Sequence, residues 1–297
     1  MTMVVACLMM AVAAQAQGVK ISPKMEKGMT KVYQIESTVN AAGKEVKMTA
    51  KQTIKVADRT SDGYLLTSVT EGFKSNVGDD DLMGTLMTMG MQLTDGISTT
   101  VKTDVDGKVT GIANYEEMKQ KAFDAIDVMF NRILEKHPEA AQMLPRDVLT
   151  QQISGQLTEE STVNSMIEAS SVLALNGKTV ANGAQESFTS QQGLKMQRMY
   201  FLTKKDGSMV STSSKMNMSK EELKQMIIAQ IEQTMPEQAD MIKQNIDMMM
   251  DQMTFDATEK ASYELGADGW VKSLTVESQS DAMGQKQSST TRITLVE

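Results

Sequence analysis

Alternation of apolar and polar residues dominates the first third of the chain and predicts β-structure from residue 19 to residue 112. Side chains that alternate with a period of two suit strands whose two faces meet different surroundings. Glycine, alone or after aspartate, separates the alternating runs, as is typical of tight hairpin turns. The predicted strands and turns are 32–39, Gly43, 46–56, Asp62-Gly63, 64–69, 97–105, Asp106-Gly107 and 109–112.

The apolar period changes from two to about 3.6 residues at Asn114. Asn114 and Glu117 have the spacing of a capping box, in which two side chains bind each other's backbone amides at a helix start. Apolar residues then recur at helical spacing as far as Leu134, and Pro138 interrupts the pattern. The sequence therefore predicts helices, with interruptions, over 114–170.

Strand patterns return after residue 170. Residues 172–175 precede Asn176-Gly177, a strong signal for a two-residue hairpin turn. Ser219 and Glu222 have the spacing of a second capping box and predict a helical region over 219–253. The other predicted strands and turns in this part are 196–203, Asp206-Gly207, 209–216, 261–265, Asp268-Gly269, 270–277 and 289–296.

Two segments of the chain resemble each other. Residues 138–144 and 236–242 share a Pro-Glu start, and each follows an amphipathic helix that comes after a block of strands. One interpretation is that 17–170 and 171–297 are related halves that build one continuous sheet. The alternative is chance, because helix–Pro–Glu junctions are common.

The order of the elements predicts an α+β fold. We expect one domain over 17–297, with a large, curved antiparallel sheet that is shaped like half a barrel. An antiparallel sheet can expose one face to solvent and bury the other. The helices of 114–170 and 219–253 are therefore expected to pack on one face of the sheet.

The N-terminus has the pattern of a secretory signal peptide. An uncharged, apolar run over 3–14 ends in Ala14-Gln15-Ala16, the small residues of a cleavage site. We predict a signal peptide over 1–16, cleavage after Ala16, and a location in the periplasm or outside the cell. Cys7, the single cysteine of the chain, precedes most of the apolar run, which argues against lipid attachment there. No later stretch has the length and hydropathy of a transmembrane segment.

Composition narrows the functional classes. The net charge of −8 and an aromatic content of 4% argue against nucleic acid as a partner. The sequence has no phosphate-binding glycine loop, no Gly-x-Ser-x-Gly motif and no zinc-ligand set. Its one histidine, His137, stands next to a proline at a predicted helix junction. We therefore expect a protein that is not an enzyme and needs no cofactor.

Methionine is unusually frequent, at 28 of 297 residues. Its flexible, polarizable side chain suits an apolar surface that adapts to ligands of varied shape. Thioethers are also soft ligands for Cu(I), and Met87, Met89 and Met91 alternate along one stretch. A core without any ligand explains the same composition, so three interpretations stay open at this point.

The chain resembles a group of uncharacterised secreted, β-rich proteins of Bacteroidetes-type bacteria. The resemblance lies in Met25-Glu26-Lys27-Gly28, the strand–Asp-Gly–strand unit over 101–112 and the terminal Gly269-Trp270 hairpin. The layout is also similar to periplasmic lipoprotein carriers, in which a curved sheet wraps helices around an apolar cavity. The resemblance implies a secreted, β-rich fold and carries over no catalytic residues.

The leading functional hypothesis is non-enzymatic binding of an apolar ligand, such as a lipid or an acyl chain, between sheet and helices. One alternative is a structural or protein-interaction protein of the envelope with a filled core, and another is copper binding by the three methionines. The residues expected to line the ligand site are the apolar side chains of the two helical regions: Phe123, Ile126, Phe130, Met226, Ile227 and Ile231.

Overall fold

The structure is a computed structural model of the whole chain. It describes residues 18–41, 43–77, 95–136, 157–168, 170–190, 193–234, 255–282 and 285–296, together with Lys243 and Ile246. The predicted signal peptide and the three candidate copper ligands Met87, Met89 and Met91 lie outside the described residues.

The described part of the chain is rich in β-structure, with thirteen strands and three helices. The strands are β1 (Val19–Lys20), β2 (Thr30–Ala41), β3 (Lys44–Arg59), β4 (Gly63–Ser75), β5 (Ser98–Asp104), β6 (Val109–Ile112), β7 (Thr179–Val180), β8 (Gln185–Thr189), β9 (Lys195–Leu202), β10 (Met209–Met216), β11 (Phe255–Leu265), β12 (Val271–Ala282) and β13 (Gln285–Leu295). The helices are α1 (Tyr115–Lys136), α2 (Glu159–Ile167) and α3 (Lys220–Thr234).

Eleven of these strands form one open antiparallel sheet. Its order is β6-β5-β4-β3-β2-β13-β12-β11-β10-β9-β8, and the short strands β1 and β7 form a separate pair. The first long strand, β2, pairs with the last, β13, with Ile35 opposite Ile293. The first long strand and the last strand of the described chain therefore meet in the middle of the sheet. The predicted antiparallel sheet is confirmed, whereas the descent of its two sides from related halves stays a prediction.

Most of the predicted hairpins are confirmed, because their turns have the residues that the backbone needs. Gly107 joins β5 to β6 with a φ of 85°, and Gly269 joins β11 to β12 with a φ of 81°. Glycine adopts these left-handed values without the steric cost that a Cβ imposes. Strand β8 was not predicted from the sequence.

The predicted strand at 172–175 is wrong. Residues 172–177 form consecutive turns, in which the Ala174 amide donates to the Ser171 carbonyl and the Asn176 amide donates to the Leu173 carbonyl, both at 3.1 Å. Val172 and Leu175 are buried in the main hydrophobic core. An apolar run of this length fits a buried strand and a buried turn equally well, and packing at the centre of the core selects the turn.

One face of the sheet, here called the inner face, carries the main core. Tyr33, Leu66, Tyr263 and Leu274 project from it and are buried. The N-terminal segment covers part of this core, since the indole Nε1 of Trp270 donates a hydrogen bond of 2.8 Å to the Lys24 carbonyl. The opposite face is mostly polar and exposed, as expected for an antiparallel sheet with one solvated side.

The two capping boxes have different outcomes. At the start of α3 the box forms, because the Glu222 amide donates to Ser219 Oγ at 3.2 Å and the Ser219 amide donates to the Glu222 carboxylate at 2.9 Å. The predicted box at α1 is wrong. Asn114 instead accepts from the Thr100 amide at 2.6 Å and donates to the Ser98 carbonyl at 2.9 Å, so its side chain joins the helix start to β5.

The helices of the described residues are amphipathic or polar. None of them is long and apolar enough to span a membrane.

Candidate functional site

The inner face of the sheet changes from apolar to polar along its strands. One row across β10, β11, β12 and β13 is apolar and consists of Val210, Tyr263, Leu274 and Ile293. Four residues further along each strand, about 13 Å away, the corresponding row is polar. This second row, here called the polar row, consists of Glu186, Arg198, Ser214, Glu259, Ser278 and Ser289.

A first cavity of about 330 Å³ lies between the sheet and the helices α1 and α2. Two hydrogen bonds between a side chain and the backbone hold the helices beside it. The Tyr115 hydroxyl of α1 donates to the Leu157 carbonyl at 2.6 Å, and Glu159 of α2 accepts from the Ile112 amide at 3.1 Å. The cavity is lined by Gln52, Ser68, Thr70, Ile97, Thr99, Met118, Ala122, Leu157, Ser161, Thr162, Ser165 and Met166.

The first cavity has walls of different polarity. On the sheet side, Gln52 Nε2 donates to Ser68 Oγ at 3.2 Å, and Thr99 is buried beside them. On the helix side, Met118 and Met166 present thioether side chains. The lining includes no ionisable side chain, so it suits an uncharged group.

Two of the three candidate residues of α1, Ile126 and Phe130, continue the stripe that reaches the first cavity. Met118, Ala122, Ile126 and Phe130 are all buried and follow one another at four-residue steps. The first two line the cavity, whereas Ile126 and Phe130 lie one and two turns beyond Ala122 and are not part of the lining. Phe123 is half-buried.

The three candidate residues of α3 lie elsewhere. Met226 and Ile227 pack against the buried pair Leu223 and Ile246, in a small cluster that also holds Leu194 and Phe255. Ile231 is half-buried. The described contacts do not bring the α1 and α3 candidates together in one lining, and their role as ligand contacts stays a prediction.

A second cavity, of about 540 Å³, lies over the polar end of the inner face. Side chains of the central strands form one side of it, and the residues after α2 and around β8 form the other. Ten of its eighteen lining residues are serine, threonine or glutamine, and Val39, Phe188, Leu194, Met196, Ala257 and Val276 add apolar surface. The lining residues are Val39, Glu168, Ser170, Phe188, Ser190, Leu194, Met196, Ala257, Thr258, Glu259, Val276, Ser278, Gln279, Ser280, Gln287, Ser288, Ser289 and Thr291.

Arg198 lies directly behind one end of the second cavity and is 2% exposed. Its Nη1 donates to Glu186 Oε1 at 3.1 Å, and its guanidinium carbon lies 4.2 Å from the ring centroid of Phe188. Its Nη2 lies 3.9 Å from Glu259 Oε1 and has no hydrogen-bond partner among the described residues. A buried donor without a partner is rare in folded proteins, because leaving it unpaired costs about 1–3 kcal/mol.

Glu186 accepts hydrogen bonds from three neighbouring side chains, one of which is Arg198. It also accepts from Lys178 Nζ at 2.8 Å and from the Tyr200 hydroxyl. Partial burial raises the pKa of Glu186, but the hydrogen bonds from Lys178 and Tyr200 outweigh burial, so the pKa lies below its ordinary value. Burial lowers the pKa of Lys178, against the opposing effect of Glu186.

The pKa of Glu259 is shifted in the opposite direction, above its ordinary value. Burial raises the pKa of its carboxyl, and neither the charge of Arg198 nor the 3.5 Å hydrogen bond from Ser214 compensates fully. Glu259 therefore holds a proton more readily than an exposed glutamate does. Its carboxyl group faces the second cavity, where Ser278 is its cross-strand neighbour.

The sequence did not predict the cluster of Arg198, Glu186 and Glu259, although one signal for it was present. In β9 the inward-facing positions are Met196, Arg198 and Tyr200, so a charge stands where the period-two pattern requires an apolar residue. The partners of Arg198 lie on β8, β10 and β11, at sequence separations that no local pattern connects. Among the described residues, no group of three or more His, Cys, Asp or Glu side chains is arranged to hold a metal ion.

No family model and no curated protein matches the chain. A structure of lipovitellin, described as showing lipid–protein interactions, aligns over 92% of this chain with 7% identity and a TM-score of 0.41. The alignment covers 26% of the lipovitellin chain, so this chain spans about a quarter of its length. An outer membrane channel from Pseudomonas putida F1 aligns over 92% of this chain and 97% of its own length, with 5% identity and a TM-score of 0.15. The comparisons assign no family, and the function has to be argued from the cavities.

Proposed function

We propose that the protein binds an apolar ligand, a lipid or an acyl chain, in the first cavity between the sheet and the helices α1 and α2. Binding is non-enzymatic, and it takes place outside the cytoplasm, as the predicted signal peptide implies. The observation that carries the proposal is a half-open cavity of about 330 Å³, to which the helices contribute the apolar side chains of Met118, Ala122 and Met166 beside three hydroxyl groups.

The size of the cavity supports a ligand. Small-molecule sites commonly occupy about 300–1,000 Å³, and the first cavity is at the lower end of that range. An acyl chain is flexible and narrow, so it fits a cavity of this size better than a large rigid ligand does.

The chemistry of the lining supports an apolar ligand. Met118 and Met166 can change rotamer at little cost and adapt to a bent chain. Gln52 and Ser68 already satisfy each other with a hydrogen bond, so the polar wall does not require a charged partner. The serine residues of the lining have no histidine or carboxylate beside them there, which favours binding over nucleophilic catalysis.

The test is a titration with dodecanoate, whose uncharged chain is expected to enter the half-open cavity while its carboxylate stays in solvent, observed by NMR of the ¹³C-labelled methionine methyl groups. We expect the Met118 and Met166 methyl signals to shift, because both side chains line the first cavity. Single Met→Leu variants assign the two signals.

A filling substitution makes the test specific. Ala122→Phe places an aromatic ring in the first cavity and should weaken dodecanoate binding at least tenfold, with Ala122→Leu giving a smaller loss. Val128→Phe is the matched control, because Val128 is 70% exposed on the same helix. Unchanged affinity in both Ala122 variants, or no shift of the two methionine signals in the wild-type protein, would refute the proposal.

A further inference from the structure

The second cavity has a different chemistry from the first. Two carboxylates, Glu168 and Glu259, and a series of serine, threonine and glutamine side chains line it, and no lysine or arginine does. Carboxylates and amides accept hydrogen bonds, and hydroxyls both donate and accept. The lining therefore suits a ligand with several hydrogen-bonding groups of its own.

An aromatic ring stands among these polar groups. Phe188 lines the second cavity, and the guanidinium of Arg198 packs against its ring at 4.2 Å from the centroid. This contact fixes the ring orientation from behind. A fixed ring beside hydroxyl and carboxyl groups offers both an apolar surface and hydrogen bonds to one ligand.

The Arg198–Glu259 pair has unused hydrogen-bonding capacity. Their charged atoms lie 3.9 Å apart, and Arg198 Nη2 has no hydrogen-bond partner among the described residues. A single oxygen that accepts from Nη2 and donates to the Glu259 carboxylate would satisfy both groups. A hydroxyl group has both of these capacities.

Three other classes of ligand fit less well. An anion would meet two carboxyl groups in a lining that includes no lysine or arginine. A cation would compete with Arg198 for Glu259, whose pKa burial already raises. A purely apolar chain would remove Ser278, Ser280 and Ser289 from water without offering them hydrogen bonds, which costs free energy.

We propose that the second cavity binds a neutral saccharide, with Glu259 and Ser278 accepting or donating hydrogen bonds to its hydroxyls and Phe188 packing against a sugar ring. This site is separate from the first cavity and does not depend on the proposed apolar ligand. Arg198 packs against the Phe188 ring and donates from Nη2 to the hydroxyl that Glu259 binds.

The experiment titrates the methionine-labelled protein with neutral sugars at millimolar concentrations. The probes are glucose, galactose, mannose, N-acetylglucosamine, maltose, cellobiose, lactose and diacetylchitobiose. Met196 lines the second cavity, whereas Met118 and Met166 line the first. We expect at least one sugar to shift the Met196 methyl signal, assigned with Met196→Leu, and to leave the other two in place.

Two conservative variants test the contacts. Glu259→Gln and Ser278→Ala should each weaken binding of that sugar about tenfold, since a site that binds a hydroxyl discriminates strongly when a partner is lost. Ser262→Ala is the matched control, because Ser262 lies on the same strand as Glu259 but is exposed on the opposite face. This control should bind the sugar with wild-type affinity.

Each outcome decides the proposal. It is overturned if no sugar shifts the Met196 signal, if a sugar shifts Met118 and Met166 instead, or if both variants bind like the wild type. Failure of dodecanoate to bind refutes only the apolar ligand of the first cavity, whereas failure of all the sugars refutes only the saccharide site. Either proposal can therefore be refuted while the other holds.

Discussion

Arg198 and Glu259 belong to one row across the sheet, yet their charged atoms lie 3.9 Å apart, too far for a hydrogen bond. Ser214 on β10 stands between them, opposite Arg198 on one side and Glu259 on the other. Arg198 instead donates hydrogen bonds from Nη1 to Glu186 on β8, at 3.1 Å, and from Nε to Ser214 Oγ, at 3.4 Å.

Replacing Arg198 should destabilise the fold. Arg198→Met retains the length of the side chain but leaves Glu186 and Glu259 without the guanidinium. Loss of one partner from a buried charge pair costs about 3–5 kcal/mol, and because Glu186 is 34% exposed we expect about 3 kcal/mol. Urea unfolding measures this difference. Arg292→Met is the control on the exposed face, with an expected change below about 0.5 kcal/mol, and equal losses in the two variants would contradict the prediction.

Glu186 and Glu259 should respond to acid in opposite directions. The pKa of Glu186 lies below 4.5 in the folded protein, so its stabilising effect is present above pH 4.5 and is lost as the pH falls below that value. The pKa of Glu259 lies above 4.5, so its contribution is largest below pH 4.5 and is lost as the pH rises through the folded pKa.

The corresponding measurement compares the unfolding free energies of Glu186→Gln and Glu259→Gln with that of the wild type between pH 3 and pH 7. Relative to Glu186→Gln, the wild type should lose stability on acidification. Relative to Glu259→Gln, it should gain stability. Parallel pH profiles for the two variants would show that the two carboxyls have similar surroundings.

Two buried tyrosines should differ when their hydroxyls are removed. The Tyr33 hydroxyl is buried and has no hydrogen-bond partner among the described residues, whereas the Tyr200 hydroxyl donates to Glu186 and accepts from Lys178 at 2.8 Å. Tyr33→Phe removes an unsatisfied group and should stabilise the protein by about 1 kcal/mol. Tyr200→Phe should destabilise it by about 1–2 kcal/mol. Thermal unfolding of both variants gives the comparison, and a loss of stability in Tyr33→Phe would show that its hydroxyl has a partner.

The capping box should stabilise the first turn of α3. Ser219→Ala removes the oxygen that accepts from the Glu222 amide and should cost about 1 kcal/mol. Amide hydrogen exchange should increase in the first turn of α3. Ser213→Ala, exposed on β10, serves as the reference, and unchanged exchange in Ser219→Ala would indicate that packing alone holds the helix start.

Gly269 should tolerate alanine less well than Gly43 does. Both have a positive φ, of 81° and 77°, so a Cβ costs about 1–2 kcal/mol at either position. At Gly269 that Cβ would also lie 2.9 Å from Pro23 Cα and 3.0 Å from the Ser22 carbonyl oxygen, whereas at Gly43 it meets nothing within 4 Å. Denaturant unfolding should show a clearly larger loss for Gly269→Ala, and similar losses would mean that the N-terminal segment moves away at little cost.

Local structure was determined largely by the sequence itself. The alternation in β3 and the turn at Gly107 specify a hairpin sheet, because period-two burial and positive-φ turns depend on near neighbours. The capping box of Ser219 and Glu222 is equally local, since its atoms lie within one helical turn. There are two exceptions. The Asn114 side chain binds the backbone of β5 in place of the helix capping box, and packing in the core makes residues 172–177 a buried turn in place of a strand.

Only the tertiary structure decided which distant residues share a site. Arg198 and Glu259 are 61 positions apart and meet because β9, β10 and β11 pair in one register; a shift of one residue would turn either side chain to the other face. The pairing of β2 with β13 and the lining of both cavities arise in the same way. Periodicity assigns a residue to a face of a strand, but long-range strand pairing, which the local pattern does not encode, sets its neighbours.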